Sequence, residues 1–267
     1  MRGFLLAVAT LWQREIVRFY RQPSRVVGAL APPVLFWLLI GTGLGASFHA
    51  PGAAAAGAPL PAPGSSYLAY FFPGVVILIL LFTAIFSEIS IIEDRAEGFL
   101  QGVLVAPVPR GAIVLGKVLG GTTLALLQSA LFLLLAPAAG LPIPAPGALA
   151  ELGLVLFLLA FALTALAAAI AWSLRSTQGF HAIMNLFLIP LWLLAGTLFP
   201  VAGAPAWLAG VMRVNPLTYG VAALRRSLAP ATAAGLPGPG LSLGVTLACA
   251  ALAFAAAAAV ASRRPTR

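Results

Sequence analysis

The chain of 267 residues is 61% hydrophobic and 8% charged, and its formal net charge is +9. Because a soluble domain carries about 25% charged residues, this composition excludes a water-soluble globular protein. Apolar runs of about twenty residues favour membrane-spanning helices over the strands of a membrane barrel, in which apolar and polar residues alternate. The predicted fold is therefore an all-α integral membrane protein with a single transmembrane domain over residues 1–267.

The first 25 residues predict a helix that lies in the plane of the cytoplasmic membrane interface. One helical stripe is apolar and contains Leu5, Val8, Trp12, Ile16 and Phe19. A second stripe is basic and contains Arg14, Arg18, Arg21 and Arg25. An apolar stripe with aromatic residues, faced by arginines, is typical of an interfacial helix.

Six apolar segments are each long enough to cross a bilayer as a helix, which takes about twenty residues. They cover residues 26–47, 67–89, 112–136, 152–174, 179–199 and 241–261. Twelve of the fifteen basic residues flank these segments on one side, so the positive-inside rule predicts that this side and both termini are cytoplasmic. Residues 51–64, rich in Pro, Gly and Ala, predict a flexible outer linker.

Residues 90–110, between spans two and three, form the most charged part of the chain. Four of the six acidic residues lie within ten positions, namely Glu88, Glu93, Asp94 and Glu97. Acids followed by an apolar face and by two prolines predict a short amphipathic helix whose first turn carries the acids. Such a helix can dock on another protein or rest on lipid headgroups, and the residues alone leave both interpretations open.

Residues 111–118 match most of the phosphate-binding pattern G-x-x-x-x-G-K-[ST], but Val118 replaces the hydroxyl residue that holds magnesium. Because no strand precedes the motif, we expect no nucleotide site in this chain, and neither a cofactor nor a metal. Lys117 is expected to reach the inner lipid headgroups. Gly116 and Gly120 are expected to permit close helix packing.

Residues 200–240 predict an outer segment with two short helices, at 205–214 and 217–228. A turn at Asn215 and Pro216 joins them. Trp207 and Tyr219 suit a membrane interface. The simplest interpretation is an interfacial lid whose basic residues, Arg213, Arg225 and Arg226, bind headgroups.

Polar residues within the spans predict hydrogen bonds between helices, and these residues are Gln128, Gln178, His181 and Asn185. Glu88 lies one turn from the predicted cytoplasmic end of span two. We expect it to reach water or to pair with Arg95, because a carboxylate in hydrocarbon costs several kcal/mol. A role of Glu88 in the translocation path is the alternative.

Two blocks of sequence carry a family resemblance. Residues 93–100 read Glu-Asp-Arg-Ala-Glu-Gly-Phe-Leu, and residues 104–110 read Leu-Val-Ala-Pro-Val-Pro-Arg. Residues 196–200 read Gly-Thr-Leu-Phe-Pro, and residues 215–219 read Asn-Pro-Leu-Thr-Tyr. In this order, on the predicted sides of six spans, the blocks resemble type-2 ATP-binding-cassette exporter permeases. Phe99 and Gln101 depart from the family pattern, which affects the match to a partner rather than the family.

The resemblance implies that residues 90–110 form a coupling helix that docks on a separate ATPase subunit, which binds ATP. The residues that it assigns to this coupling are Glu93, Asp94, Arg95, Glu97, Gly98, Phe99, Leu100, Pro107, Arg110 and Lys117. It also implies that residues 200–240 re-enter the membrane and gate the outer end, through Trp207, Asn215, Pro216, Tyr219 and Arg225.

The function implied by the resemblance is ATP-driven export by two permease chains, as a homodimer, with two ATPase subunits in a bacterial plasma membrane. The apolar walls favour an amphipathic drug, a lipid or a lipid-linked glycan as substrate. An ion-coupled carrier is the alternative, although the predicted spans place no acid at mid-membrane. A membrane assembly scaffold also stays open. The sequence offers no catalytic pair or metal motif, so we do not expect an enzyme.

Overall fold

A computed structural model describes residues 2–47, 67–105, 107–142, 144–201, 204–230 and 236–262. All regular secondary structure within these ranges is helical. The α-helices are α1 (Arg2–Tyr20), α2 (Pro23–Ser47), α3 (Tyr67–Ala96), α4 (Phe99–Val105), α5 (Arg110–Leu133), α6 (Pro146–Ser173), α7 (Thr177–Trp192), α8 (Ala206–Val214), α9 (Pro216–Leu228) and α10 (Pro239–Ser262). A wide π-helical turn, Leu193–Thr197, continues α7.

Six of these helices are long and apolar enough to cross a membrane, namely α2, α3, α5, α6, α7 with its π-helical turn, and α10. The six predicted spans are therefore confirmed, with bounds close to those expected. The exceptions are α3, which has 30 residues and continues seven positions beyond the predicted end at residue 89, and α6, which begins six positions before the predicted start at residue 152. The predicted linker at 51–64 lies outside the described residues.

Helix α3 forms the centre of the bundle, because its side chains are buried along nearly its whole length. Its apolar residues pack against α2, α5, α6 and α7. Aromatic rings fill the space between α2, α3 and α5. The Phe132 ring stacks on the Phe72 ring with their centres 4.6 Å apart, and it packs edge-to-face with the Trp37 ring at a centre-to-centre distance of 5.3 Å. Helices α2 and α10 lie at the periphery.

The helix ends fall into two groups that define the two ends of the bundle. Arg95 at the end of α3 donates to carbonyls at the end of α6, and Arg110 at the start of α5 donates to carbonyls at the end of α10. We call this the charged end. At the opposite end, Trp37 donates to the Leu68 carbonyl at 3.1 Å, where α2 meets the start of α3.

Helix α1 packs along α5 at two glycines one helical turn apart. A Cβ on Gly116 would lie 2.9 Å from Leu11 Cβ, and a Cβ on Gly120 would lie 2.6 Å from Glu15 Cβ. The predicted apolar stripe of α1 is divided: Val8 and Phe19 are buried, whereas Leu5 and Trp12 are exposed. The position of α1 in the membrane interface stays a prediction.

We predict that Gly120→Ala destabilises the bundle, because the added methyl group has no room against α1. Overpacking of this kind costs about 1–3 kcal/mol. The measurement is the free energy of unfolding in mixed micelles. Gly111→Ala is the matched control on the same helix, since a Cβ there meets nothing within 4 Å. Equal stability of the two variants would contradict the close packing of α1 on α5.

Candidate functional site

The acids of residues 93–97 lie at the end of a membrane span rather than at the start of a short helix. Helix α3 continues through Ile91 and Ile92, which are buried, and ends at Ala96. Gly98 then turns the chain with a φ of 81°, which favours glycine. The prediction that the acids form the first turn of the short helix is wrong, because Glu93 and Asp94 belong to α3 and Glu97 lies in the turn before α4 begins at Phe99.

Asp94 is the centre of the charged end. Its side chain is fully buried, and a buried carboxylate must be paired with cations. Arg14 donates to both of its oxygens, at 2.6 and 2.9 Å, in the two-pronged geometry that suits a guanidinium. Lys117 donates at 2.7 Å, and Arg18 also contacts the same carboxylate.

Lys117 lies inside the bundle, with 1% of its side chain exposed. Its ammonium group donates to Glu15 at 2.8 Å and Ser90 at 3.2 Å as well as to Asp94. The expectation that Lys117 reaches lipid headgroups is wrong, because acceptors on α1 and α3 satisfy all three of its protons within the protein.

Four cations and four acids form one charge-balanced ion-pair network. Its members are Arg14, Arg18, Arg25, Lys117, Glu15, Glu93, Asp94 and Glu97. Burial of the Arg14 guanidinium opposes its charge, but hydrogen bonding to Asp94 and the attraction of Asp94 and Glu15 outweigh burial and raise the pKa of Arg14.

Glu15 is a member of the network that the sequence reasoning missed. It shares a helical spacing of three and four residues with Val8, Leu11 and Phe19, which are the buried residues of α1. An acid in register with the apolar stripe of a helix was the available signal, since such a position requires a cation from a neighbouring helix.

Two arginines tie the segment between α3 and α5 to the ends of other spans. Arg95 donates to the Trp172 and Leu174 carbonyls at 2.9 and 2.8 Å, where α6 ends. Arg110 donates to the Ala261 and Ser262 carbonyls at 3.1 and 3.0 Å, where α10 ends. Cations suit these positions because the final carbonyls of a helix carry partial negative charge.

Glu88 is buried in α3, with 1% of the residue exposed. The expectation that it reaches water or pairs with Arg95 is wrong, because Arg95 bonds to α6 and α3 is buried past this point. Glu88 Oε1 lies 3.4 Å from Ser87 Oγ, and Oε2 has no hydrogen-bond partner among the described residues. Gly121 makes room for it, since a Cβ there would lie 2.8 Å from Glu88 Oε1.

The other polar residues of the spans have different surroundings. The Thr83 hydroxyl donates to the side-chain oxygen of Gln128 at 2.9 Å, and this hydrogen bond joins α3 to α5. His181 is half-buried, with its ring 5.5 Å from the Phe86 ring. Gln178 and Asn185 are exposed on α7. Among the described residues, no group of three His, Cys, Asp or Glu side chains could hold a metal ion.

The residues predicted for coupling divide into an exposed and an inner group. Glu97, Gly98, Phe99 and Pro107 are exposed, together with Val105, which has 84% of its surface accessible. The inner residues are Glu93, Asp94, Arg95, Leu100, Arg110 and Lys117, which are buried or engaged in the contacts described above. Direct contact of Asp94, Leu100 or Lys117 with a partner is excluded in this conformation.

Arg225 forms a second buried cluster at the opposite end. It is 2% exposed and donates to the Tyr70 hydroxyl and the Gly196 carbonyl, both at 3.2 Å, while its guanidinium lies 4.1 Å from the centre of the Tyr70 ring. The interpretation that Arg225 binds lipid headgroups is wrong, because it points into the bundle. Gly196, with a φ of 78°, shapes the π-helical turn that presents its carbonyl.

The remaining residues of the outer segment lie on α8, on α9 and at their junction. Asn215 donates to the Leu191 carbonyl at 2.6 Å and accepts from the Leu217 amide at 3.0 Å, which starts α9 at Pro216. Tyr219 donates to the Arg213 carbonyl at 2.9 Å. Trp207 is 72% exposed. The two helices lie where the sequence predicted them, while the depth of this segment in a membrane stays a prediction.

A bundle with six helices long and apolar enough to cross a membrane, with paired charges and a short exposed helix at one end, defines a multi-pass membrane protein. The family described as ABC-2 type transporter matches residues 7–228. The chain belongs to this family, so it is a transmembrane transporter subunit and the resemblance found in the sequence is confirmed. Membership implies a non-catalytic chain that associates with an ATP-binding partner.

Relatives of this chain carry permease names. Putative transport permease ycf38 of Cyanophora paradoxa is 26% identical over 225 residues, covering 83% of this chain and 74% of the relative. Inner membrane transport permease YadH of Escherichia coli (strain K12) is 24% identical over 234 residues, 84% of each chain. Probable multidrug ABC transporter permease YbhR of the same strain is 28% identical over 159 residues, covering 59% of this chain and 43% of YbhR.

We predict that Lys117→Met strongly destabilises the protein, because it leaves Asp94 and Glu15 with less compensation. Removing one partner of a buried pair costs about 3–5 kcal/mol. The double variant Lys117→Met with Glu15→Gln should recover part of this loss. The measurement is the free energy of unfolding in mixed micelles, with the exposed Arg175→Met as control. A Lys117→Met protein as stable as the control would contradict the buried network.

Proposed function

We propose that this chain is the membrane subunit of an ATP-driven exporter and that helix α4 docks on a separate ATPase subunit. The observation that carries the proposal is the form of α4: an exposed apolar tip attached directly to the ion-pair network. The charged end then faces the cytosol, as the distribution of basic residues favours. ATP binds to the partner, and this chain binds no cofactor.

The surface of α4 suits a protein partner. Val105 exposes most of its apolar surface and Phe99 exposes part of its ring, while the exposed carboxylate of Glu97 lies in the turn just before α4, a mixture typical of a helix that enters a groove. A helix of seven residues is too short to be stable alone. It is held by Leu100, which is buried in a small apolar cluster with Leu11 of α1 and Ile113 of α5.

The contacts around α4 give a route for its motion into the bundle. Arg95 joins its N-terminal flank to α6, and Arg110 joins its C-terminal flank to α10. Asp94, which also precedes α4, joins its N-terminal flank to α1 and α5. A push on α4 by the ATPase would therefore displace three or more helices together, because buried charged contacts are costly to break one at a time.

The Arg225 cluster is our candidate for the outer gate. Arg225 holds α9 against α3 and the π-helical turn. It donates to the Tyr70 hydroxyl and to the carbonyls of Tyr70 and Gly196, and it lies over the Tyr70 ring. Arg225 has no acidic partner among the described residues, and its Nε atom has no hydrogen-bond partner there. Contacts of this kind are weaker than a buried ion pair, which suits a closure that must open in each cycle.

For the complete transporter we propose two copies of this chain with two ATPase subunits, in a bacterial plasma membrane with both termini in the cytosol. The proposed cargo is an amphipathic drug, a lipid or a lipid-linked glycan, because charged side chains of the described spans lie at their ends or are buried within the bundle. The name of YbhR as a probable multidrug permease supports the first of these classes.

We predict that Val105→Asp weakens binding of the ATPase subunit by about thirtyfold, because it places a carboxylate in the apolar contact and the loss of a hot-spot residue costs about 2 kcal/mol. The measurement is binding of the ATPase to the purified permease, with ATP-dependent transport in vesicles as a second readout. Val214→Asp is the matched control, since Val214 also ends a short helix and is 83% exposed. Equal binding by both variants would contradict docking through α4.

We predict that Arg225→Lys opens the outer end, because lysine lacks the two separate terminal nitrogens with which Arg225 bonds the Tyr70 hydroxyl and the Gly196 carbonyl, and the planar group that lies over the Tyr70 ring. Loss of one charged hydrogen bond shifts the opening equilibrium by about tenfold. A cysteine placed at the buried position Ala222 of α9 reports opening through its labelling by a membrane-impermeant maleimide. The exposed Arg213→Lys is the control, and unchanged labelling in Arg225→Lys would exclude the gate.

A further inference from the structure

A basic groove lies on the outside of the ion-pair network, between α1 and the turn after α3. It is lined by Arg14, Val17, Arg18, Arg21, Gln22 and Glu97. Its volume is about 480 Å³, which falls within the range of roughly 300–1,000 Å³ found for small-molecule sites. The proposed transport mechanism does not use this groove.

Of the three arginines that line the groove, Arg21 is the one that the ion-pair network does not include. The network pairs four cations with four acids, and Arg21 belongs to none of these pairs among the described residues. Its side chain is exposed at the mouth of the groove, next to the amide of Gln22. The groove therefore presents an uncompensated positive charge and a neutral polar group, which together suit an anion.

The position of the groove identifies the kind of anion. Arg21 and Gln22 immediately precede Pro23, the first residue of a candidate membrane span, so the position expected for the groove is the depth of the lipid headgroups. Val17 and Tyr20, which are 43% and 47% exposed, add apolar surface beside the cation. A phosphate joined to acyl chains satisfies both features, whereas an acidic protein surface satisfies only the charge.

We propose that this groove binds the phosphate headgroup of an anionic phospholipid, with Arg21 as its main cation and the Gln22 amide as a neutral donor beside it. Lipid bound here would rest against the ion-pair network and hold α1 to the bundle. Transport activity would then depend on the anionic lipid content of the membrane.

The test is binding of short-chain phosphatidylglycerol and phosphatidylcholine to the purified full-length chain, counted by native mass spectrometry. We expect phosphatidylglycerol to be preferred and Arg21→Gln to weaken its binding by about fivefold, the effect typical of one basic residue at an anionic surface. The control is Arg175→Gln, which removes an exposed arginine outside the groove and should leave binding unchanged. Because Arg21 is exposed, both variants should have the thermal midpoint of the natural protein.

Three outcomes would overturn the proposal. Equal losses in Arg21→Gln and Arg175→Gln would show general attraction of lipid to a basic protein. Displacement of phosphatidylglycerol by an equal concentration of inorganic phosphate would show a small-anion site without a role for the acyl chains. Loss of the ATPase subunit from the lipid-free complex in Arg21→Gln, with lipid binding intact, would show that the groove is a protein contact.

Discussion

The carboxylate of Asp94, buried at the end of the central helix, is the constraint on which the charged end depends. A charge in this position is tolerated only with matched partners, and Asp94 takes them from α1 and α5. Helix α1 is consequently part of the bundle, because its departure would leave Asp94 with Lys117 as its one ion-pair partner among the described residues. The close approach at Gly116 and Gly120 is what brings Arg14 and Glu15 within reach of that site.

The two ends of the bundle are held by different kinds of interaction. At the charged end, ion pairs and carbonyl-capping arginines connect α1 and five of the six candidate spans to the exposed α4. At the opposite end, a single buried cation is held by a hydroxyl, carbonyls and a ring face. In the cycle that we propose, the first end transmits force without coming apart, and the second opens because its contacts are weaker.

The six spans and the two outer helices could be predicted from the sequence because they depend on long apolar runs and on prolines, which act locally. The surroundings of Glu88, Lys117 and Arg225 could not, because whether a charge is buried depends on the neighbours that compensate it. Lys117 was assigned to headgroups on the evidence of its own helix, while Glu15 and Asp94 lie on two others. The end of α3 was placed too early because acids normally mark the limit of an apolar span.

The uninterrupted length of α3 has a mechanical consequence. Tyr70 and Asp94 both lie on it, and with a rise of 1.5 Å per residue their separation along the axis is about 36 Å. If the Asp94 end acts as a fulcrum, a tilt of about 5° swings the Tyr70 end by about 3 Å over that length. This displacement is about as large as the donor-to-acceptor distance between Arg225 and the Tyr70 hydroxyl, which is 3.2 Å. In the cycle that we propose, a small tilt applied at one face of the membrane would thus be magnified along α3 into the breaking of this hydrogen bond at the other.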